Sequence, residues 1–184
     1  VVLQHGVGEG QAASLAARPT AELINAFSEK AQQRLREIDP QTVNGVLLRG
    51  AGTLPDLPTL PQVYGLNGAA SATVPMYRGV ARLLGIELLD HDESLSAQFS
   101  AVMDAFGDFD LFFLHDKTPD KLGEDGDFDG RVEALEFLDT QIGRLVRCQP
   151  DVLIVTSDAS TPARLGCHSS HPVPVLLASQ TCRP

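Results

Sequence analysis

Three polar segments of this sequence carry side chains that bind metal ions, and they are placed around apolar runs of the chain. The segments are His115–Gly130, Val155–Pro162 and Cys167–Pro174. In a parallel α/β sheet the carboxyl ends of the strands share one edge, and ligands bind at that edge. Carboxylates and imidazoles that converge from several loops can hold two cations about 3.5–4 Å apart, as phosphoryl transfer requires. The pattern therefore indicates a metal-dependent site built from three loops.

The order and spacing of these segments resemble the metal-binding loops of the archaeal-type cofactor-independent phosphoglycerate mutases, in the alkaline phosphatase superfamily. Those loops read approximately T-D-E-A-G-H-D-G-D-F-E-G, T-G-D-H-S-T-P and D-H-S-A-D-P-V-P. Here residues 119–130 read P-D-K-L-G-E-D-G-D-F-D-G, residues 156–162 read T-S-D-A-S-T-P, and residues 166–174 read G-C-H-S-S-H-P-V-P. A middle section of the chain is also similar to the family, in the stretches 46–52, 64–70 and 74–85.

The resemblance implies a set of metal ligands. Asp120, Asp158 and His168 stand at positions where the family has ligands, and Glu124 and Ala159 stand where it has histidines. A carboxylate still binds a hard divalent cation such as Mn²⁺ or Mg²⁺, so Glu124 keeps a ligand at its position. Ala159 offers no donor atom. The implied metal set is therefore Asp120, Glu124, Asp158 and His168.

The resemblance also implies a reaction. In the family a serine takes the phosphoryl group of 3-phosphoglycerate and returns it to the 2-hydroxyl, with two metal ions assisting. The family's Asp-Gly turn after its first strand and its nucleophilic serine in a Gly-Ser-Asp setting are not found here, and Ser71 belongs to the middle section. We therefore expect no catalytic serine in this sequence and no complete cycle from it alone. The alternative is a catalytically silent homologue that binds a phosphorylated ligand or a protein partner, which better explains Glu124 and Ala159.

Two basic residues are candidates for substrate binding. Arg49 ends a predicted strand, and Lys117 precedes the first metal-binding segment. Either could meet the phosphate or carboxylate of a small phosphorylated substrate such as phosphoglycerate. A surface salt bridge is the alternative for both. Asp120 and Asp158 have structural alternatives as well, an Asx-type turn and a helix cap.

The acidic run 125–136 also satisfies the spacing of an EF-hand calcium loop. The segment that enters it contains Pro119 and Gly123 after a strand, whereas an EF-hand needs a helix there. The same acids are favourable at the positive end of a helix dipole. We therefore interpret the run as the start of a helix and not as a calcium site.

Composition limits the remaining classes. The 184-residue chain has a formal net charge of −10, which disfavours nonspecific binding to nucleic acid or to anionic membranes. It has no apolar run of transmembrane length, and we recognise no signal peptide in residues 1–184. Its three cysteines show no disulfide pattern, so the cytoplasm is the expected location. The chain begins at Val1 with residues typical of a strand, and we expect a fragment, a processed chain or a shortened family member.

Alternating strands and helices predict the α/β class, with a mostly parallel sheet and helices on both faces, as in alkaline phosphatase. We expect one domain over residues 1–184, in which 1–42 is atypical of the family and 43–177 matches it best. Strands are predicted at 1–4, 43–49, 69–74, 86–89, 110–115, 152–156 (central) and 173–177 (edge). Helices are predicted from about 19 to 38, 75 to 84, 94 to 106 and 128 to 147, and a proline-rich loop over 53–65.

Overall fold

The computed structural model describes residues 18–38, 45–46, 48 and 55–179. The chain divides between Asp56 and Leu57 into two compact units. The first unit contains helix α1 (Arg18–Ile38), whose bounds agree with the prediction. The predicted strand at 1–4 lies outside the described residues, and so does most of the one at 43–49. The other helices and strands that the structure describes belong to the second unit.

A three-stranded parallel sheet forms the centre of the second unit. Its strand order is β2-β1-β3, and its strands are β1 (Gly68–Ala72), β2 (Glu87–Leu88) and β3 (Leu111–His115). Gly68 of β1 lies beside Leu111 of β3, and Ala72 beside His115, so both strands end together. The predicted α/β class with a parallel sheet is confirmed.

Helices cover the sheet from both faces. Helix α3 (Pro75–Leu83) connects β1 to β2, and helix α4 (Leu95–Asp104) connects β2 to β3 on the other side of β1. Right-handed crossovers that run in opposite directions place their helices on opposite faces. Both helices contact β1, all five residues of which are buried. The Gly-Ala-Ala-Ser-Ala sequence of β1 suits this position because small side chains let a helix approach from each face.

Local signals in the sequence set the helix boundaries. The Ser94 hydroxyl accepts a hydrogen bond from the Ala97 amide at 3.2 Å and caps α4. Gly85 adopts a φ of 70° just beyond α3, the left-handed conformation that glycine adopts without strain. The predicted loop over 53–65 is wrong in part, because it contains the short helix α2 (Leu60–Tyr64). Pro61 lies in the first turn of that helix, where a missing amide hydrogen removes no intrahelical bond.

Two helices follow β3. Helix α5 (Thr118–Glu124) forms in a segment for which the sequence predicted no helix, and helix α6 (Phe128–Val146) begins where predicted. The two pack against each other, and α6 also contacts α4. Within the described residues, no helix is both long enough and apolar enough to cross a bilayer.

The last two strands form a separate antiparallel pair. Strand β4 (Val152–Thr156) lies beside β5 (Val175–Ser179), with Ile154 opposite Leu177. The prediction that 152–156 is a central strand of the parallel sheet is therefore wrong for the described residues, in which β4 pairs with β5 alone. Five apolar side chains of the pair are more than half exposed, and four of them share one face of it: Val152, Ile154, Val175 and Leu177; the fifth is Leu176.

Candidate metal centre at the end of the parallel sheet

The candidate site lies beyond the carboxyl end of β3. In the order β2-β1-β3, the chain passes from β1 to β2 on one side and then crosses to β3 on the other side of β1. The strand order therefore reverses at β1. Such a reversal opens a crevice at the carboxyl ends of the strands, and α/β proteins bind ligands in it. Helix α5 starts three residues after β3 and carries Asp120 and Glu124 one turn apart on one face.

Three of the predicted ligands come together. Donor atoms of Asp120, Glu124 and His168 all lie within 4.8 Å of one another. His168 Nε2 is 3.5 Å from Asp120 Oδ1 and 3.4 Å from Glu124 Oε1. Donors that bind one cation at about 2.1 Å lie about 3–3.5 Å apart, so the spacing fits a metal ion. The Asp120 side chain is 18% exposed, whereas the other two are about half exposed, which leaves one side of the cluster open.

Thr161 holds Asp120 in position, although nothing in the sequence singled out this threonine. Its side chain is fully buried, and its hydroxyl donates a hydrogen bond to Asp120 Oδ1. The Arg131 guanidinium of α6 donates to the Thr161 carbonyl oxygen. Thr161 therefore links the loop after β4 to both α5 and α6. Arg131 was missed too, because a contact across 30 residues leaves no spacing signal.

Gly123 explains how α5 approaches this loop so closely. A Cβ atom at position 123 would lie 2.3 Å from the Thr161 carbonyl oxygen, so the contact requires glycine. Further along the chain, the Ser169 amide donates to the Ser160 carbonyl at 2.8 Å in an antiparallel bridge. This bridge holds the neighbouring residue, His168, beside the loop. Local backbone contacts therefore bring the imidazole to the two carboxylates.

Asp120 is kept ionised by its hydrogen bonds. Its burial raises the pKa, but hydrogen bonds from the Lys117 ammonium and the Thr161 hydroxyl outweigh burial and hold the pKa below its ordinary value. The bond to Asp120 in turn raises the pKa of Lys117. A metal ligand must be deprotonated, so this environment favours cation binding at Asp120. Lys117 is accordingly part of an ion pair at the cluster.

Asp158 lies outside the three-residue cluster. Its Oδ2 is 3.5 Å from the Tyr77 hydroxyl, at the long limit of a hydrogen bond. The Tyr77 ring stacks on His115 with centroids 3.7 Å apart. Asp158 therefore faces the end of β3 from the loop after β4. Ala159 offers no donor, and Asp158 caps no helix, because turns and not a helix follow it.

His115 provides a test of this arrangement. Burial lowers the pKa of His115 below 6.5, and the Asp158 carboxylate partly opposes that shift. We expect Asp158→Asn to lower the pKa of His115 further, because a charge that favours the imidazolium is removed. NMR titration of the imidazole resonances measures this change. Asp104→Asn, an exposed substitution at the end of α4, is the control and should leave the titration unchanged; an equal or raised pKa in Asp158→Asn would contradict the geometry.

The acidic run after α5 is a helix start, as interpreted. The segment that enters the run contains a helix, α5, which the sequence did not predict. However, α6 begins at Phe128, the fourth position of the supposed twelve-residue loop. Asp127 Oδ1 accepts a hydrogen bond from the Gly130 amide at 3.0 Å, so this carboxylate caps α6.

His171, Cys148 and Cys167 are not members of the cluster of Asp120, Glu124 and His168. Arg49 is outside the described residues, as is Cys182. His171 Nδ1 is 2.9 Å from the Ser169 hydroxyl, and Cys148 and Cys167 form no disulfide. The structure thus brings together the ligands from the first and third segments, and it leaves the aspartate of the second beside Tyr77.

The chain is similar to a family model and to curated proteins. Residues 7–184 match the model of the metalloenzyme superfamily. A protein of Thermotoga maritima named "Probable 2,3-bisphosphoglycerate-independent phosphoglycerate mutase" is 39% identical over 166 residues, which cover 90% of this chain and 41% of that protein. A protein of the same name from Thermus thermophilus is 41% identical over 171 residues, 91% of this chain and 42% of its own length. The chain therefore spans about two fifths of these curated relatives.

Two solved structures are similar to the structure of this chain. The PH0037 protein of Pyrococcus horikoshii is similar with a TM-score of 0.77 and 28% identity, over 92% of this chain and 50% of that one. The cofactor-independent phosphoglycerate mutase of Thermoplasma acidophilum shares the fold, with a TM-score of 0.56 and 20% identity over 92% of this chain and 45% of its own. The resemblance to cofactor-independent phosphoglycerate mutases is thus confirmed, and the chain belongs to the metalloenzyme superfamily.

Proposed function

We propose that this chain is a metal-dependent phosphoryl-transfer domain of the phosphoglycerate mutase type, which takes part in interconverting 3-phosphoglycerate and 2-phosphoglycerate in the cytoplasm. The observation that carries the proposal is the convergence of Asp120, Glu124 and His168. Two carboxylates and an imidazole suit a divalent cation, and the open side of the cluster leaves room for a substrate oxygen. A bound divalent cation would supply Lewis acidity to a phosphoryl oxygen.

Mn²⁺ is the preferred cation in this proposal, and Mg²⁺ is the alternative. Mg²⁺ favours ligand sets made up of oxygen atoms, whereas the imidazole nitrogen of His168 is a better ligand for transition metals. Asp158 is the fourth proposed ligand. Its carboxylate is exposed and approaches Tyr77, which stacks on the last residue of β3, so it lies near the same end of the sheet.

Lys117 is the proposed substrate-binding residue among those described. Its ammonium donates to Asp120 Oδ2, and its side chain is 39% exposed. When Asp120 serves as a metal ligand, the like charges of the cation and the ammonium repel each other. The ammonium is then free to turn toward an anionic group of the substrate. Arg49, the other predicted substrate-binding residue, lies outside the described residues and stays a prediction.

One observation favours the second candidate, a catalytically silent homologue that binds a phosphorylated ligand or a partner. Ala159 provides no donor, and the donor cluster found in the described part of the chain has three ligands and not the larger set that two metal ions need. Residues that act as a unit lose most of their catalysis when one member is removed. The two candidates share the metal centre and differ in turnover.

Isothermal titration of Mn²⁺ into the chelator-stripped chain, followed by titration of 3-phosphoglycerate, tests the proposal. We expect Mn²⁺ to bind once per chain and to strengthen 3-phosphoglycerate binding. Lys117→Met should weaken 3-phosphoglycerate binding by about tenfold, because one charge-assisted hydrogen bond is lost, without weakening Mn²⁺ binding.

The control for Lys117 is Lys121→Met, an exposed lysine on the same helix. Equal losses in both variants would contradict the substrate role of Lys117, and no Mn²⁺ binding would contradict the metal centre. A coupled mutase assay then separates the candidates. Turnover supports the enzyme, whereas metal-dependent binding without turnover supports the silent homologue.

A further inference from the structure

The donors of the metal cluster are held in place to different degrees. Asp120 accepts hydrogen bonds from the Lys117 ammonium and the Thr161 hydroxyl, and 18% of its side chain is exposed. The Glu124 side chain is 46% exposed, and its carboxylate accepts no hydrogen bond from any residue that the structure describes. Its ion-pair neighbour is the His168 imidazole, with Oε1 3.4 Å from Nε2. A bound cation can therefore orient Glu124 more freely than Asp120.

The backbone of Glu124 is fixed, although its carboxylate is not. A Cβ atom at Gly166 would lie 3.3 Å from the Glu124 carbonyl oxygen, so this backbone lies against the turn that leads to His168. Glu124 is also the last residue of α5, where a carboxylate faces the negative end of the helix dipole. Helix formation therefore gives no reason for a carboxylate at this position, whereas cation binding does.

The donor at position 124 decides the balance between oxygen and nitrogen atoms around the cation. Asp120 supplies oxygen and His168 supplies nitrogen, so Glu124 makes oxygen the majority donor of the cluster. Carboxylates suit Mg²⁺ and Mn²⁺, whereas imidazole suits Zn²⁺ and other later transition metals. A glutamate can also bind a hard cation through one oxygen or through two. Its flexible side chain therefore lets the centre accept hard cations of different radius.

We propose that Glu124 is the selectivity-determining residue of the metal centre, and that its carboxylate shifts the centre away from Zn²⁺ and toward Mn²⁺ and Mg²⁺. The inference rests on the proposed function, because it requires that the cluster binds a divalent cation. It adds which of the three donors decides the choice of cation. Asp120 and His168 supply one oxygen donor and one nitrogen donor in either case, and position 124 decides between the two kinds of metal.

Separate calorimetric titrations of Mn²⁺ and Zn²⁺ into the chelator-stripped full chain and its Glu124→His variant test the proposal. We expect the ratio of Zn²⁺ affinity to Mn²⁺ affinity to rise by about tenfold or more in the variant, because a nitrogen donor replaces an oxygen donor. The ratio is the informative quantity, since a general loosening of the fold would lower both affinities together. A thermal melt verifies that the variant is folded.

Glu29→His is the matched control. Glu29 is an exposed residue within α1, and no acidic residue or histidine lies one helical turn from it. This variant adds the same imidazole and removes the same charge, and its affinity ratio should stay within about twofold of the parent ratio. Glu124→Gln removes the charge and keeps an oxygen, so it should weaken Mn²⁺ binding without the rise in the ratio that Glu124→His produces.

The outcomes separate this inference from the proposed function. If the parent chain binds neither metal, both fail, because the cluster holds no cation. If the parent chain binds Mn²⁺ and the ratio is unchanged in Glu124→His, the metal centre stands and the selectivity role of Glu124 is wrong. An equal rise in Glu29→His would also contradict that role, since any added imidazole would then attract Zn²⁺. An equal rise in Glu124→Gln would assign the selectivity to charge and overturn the argument from donor type.

Discussion

The Asp120→Asn variant is expected to lose Mn²⁺ binding by more than about 100-fold, since changes to residues that merely support ligands already cost about 10–100-fold. Asp120 is the least exposed donor of the cluster and accepts hydrogen bonds from both Lys117 and Thr161. Asparagine keeps the shape and removes the charge. It also leaves the Lys117 ammonium without its partner beside the remaining donors, where it repels a cation. Calorimetric titration of the chelator-stripped protein measures the loss.

Asp125→Asn is the matched control for this variant. Asp125 immediately follows α5, is exposed, and is not part of the cluster. It should retain Mn²⁺ affinity within about twofold, because an exposed charge acts weakly through solvent. If both variants lost the same affinity, general acidity of the surface and not the cluster would hold the metal.

The Gly123→Ala variant is expected to lose about 1–3 kcal/mol of unfolding free energy, the usual cost of forcing an extra group into a packed contact. The added methyl would lie 2.3 Å from the Thr161 carbonyl oxygen, which is backbone and cannot rotate away. Helix α5 and the loop must therefore separate. Because Thr161 donates to Asp120, the same change should weaken Mn²⁺ binding. Urea denaturation and Mn²⁺ titration measure the two effects.

Gly143→Ala is the matched control for Gly123→Ala, because it adds the same methyl group at a position with free space around it. A Cβ at this position of α6 meets nothing within 4 Å. Alanine is favoured over glycine within a helix by about 0.5–1 kcal/mol, so this variant should be more stable than the parent. If Gly123→Ala were also stabilising, the close approach of α5 to Thr161 would be wrong.

Elements with strong local signals were predictable from the sequence. Ser94 caps α4 and Gly85 ends α3. Both boundaries depend on an N-cap hydroxyl or a left-handed glycine, which can be recognised from a few neighbouring residues of the sequence. Helix α6 was predictable from the periodicity of its apolar residues. These elements depend little on what packs against them.

Elements held by distant contacts were not predictable. Helix α5 contains Pro119 and Gly123, and its N-cap residue, Lys117, makes no side-chain capping hydrogen bond. It packs on α6 and on the loop at Thr161. Strand β4 has the apolar run of a central strand, yet its burial depends on which strands pair with it, and periodicity alone does not decide that.

The candidate site also combines residues that local sequence spacing predicts with residues that distant contacts bring into place. Asp120 and Glu124 are four residues apart, so a helix places them on one face. His168 joins them from a distant segment, and family resemblance rather than spacing pointed to it. The Thr161 to Asp120 hydrogen bond spans 41 residues and left no trace in the sequence pattern. The candidate donors could be predicted from the sequence, whereas the contacts that support them could not.

The exposed apolar face of the β4 and β5 pair has a consequence for handling the protein. The pair exposes the apolar side chains Val152, Ile154, Val175 and Leu177 and the outer edges of its two strands. Other molecules can associate with this apolar surface or pair with these edges. The net charge of −10 opposes such association at neutral pH, since like-charged molecules repel. This protection disappears near the sequence isoelectric point of about 4.8. Colloidal solubility should therefore be lowest in mildly acidic buffer and at high salt, where charge repulsion is neutralised or screened.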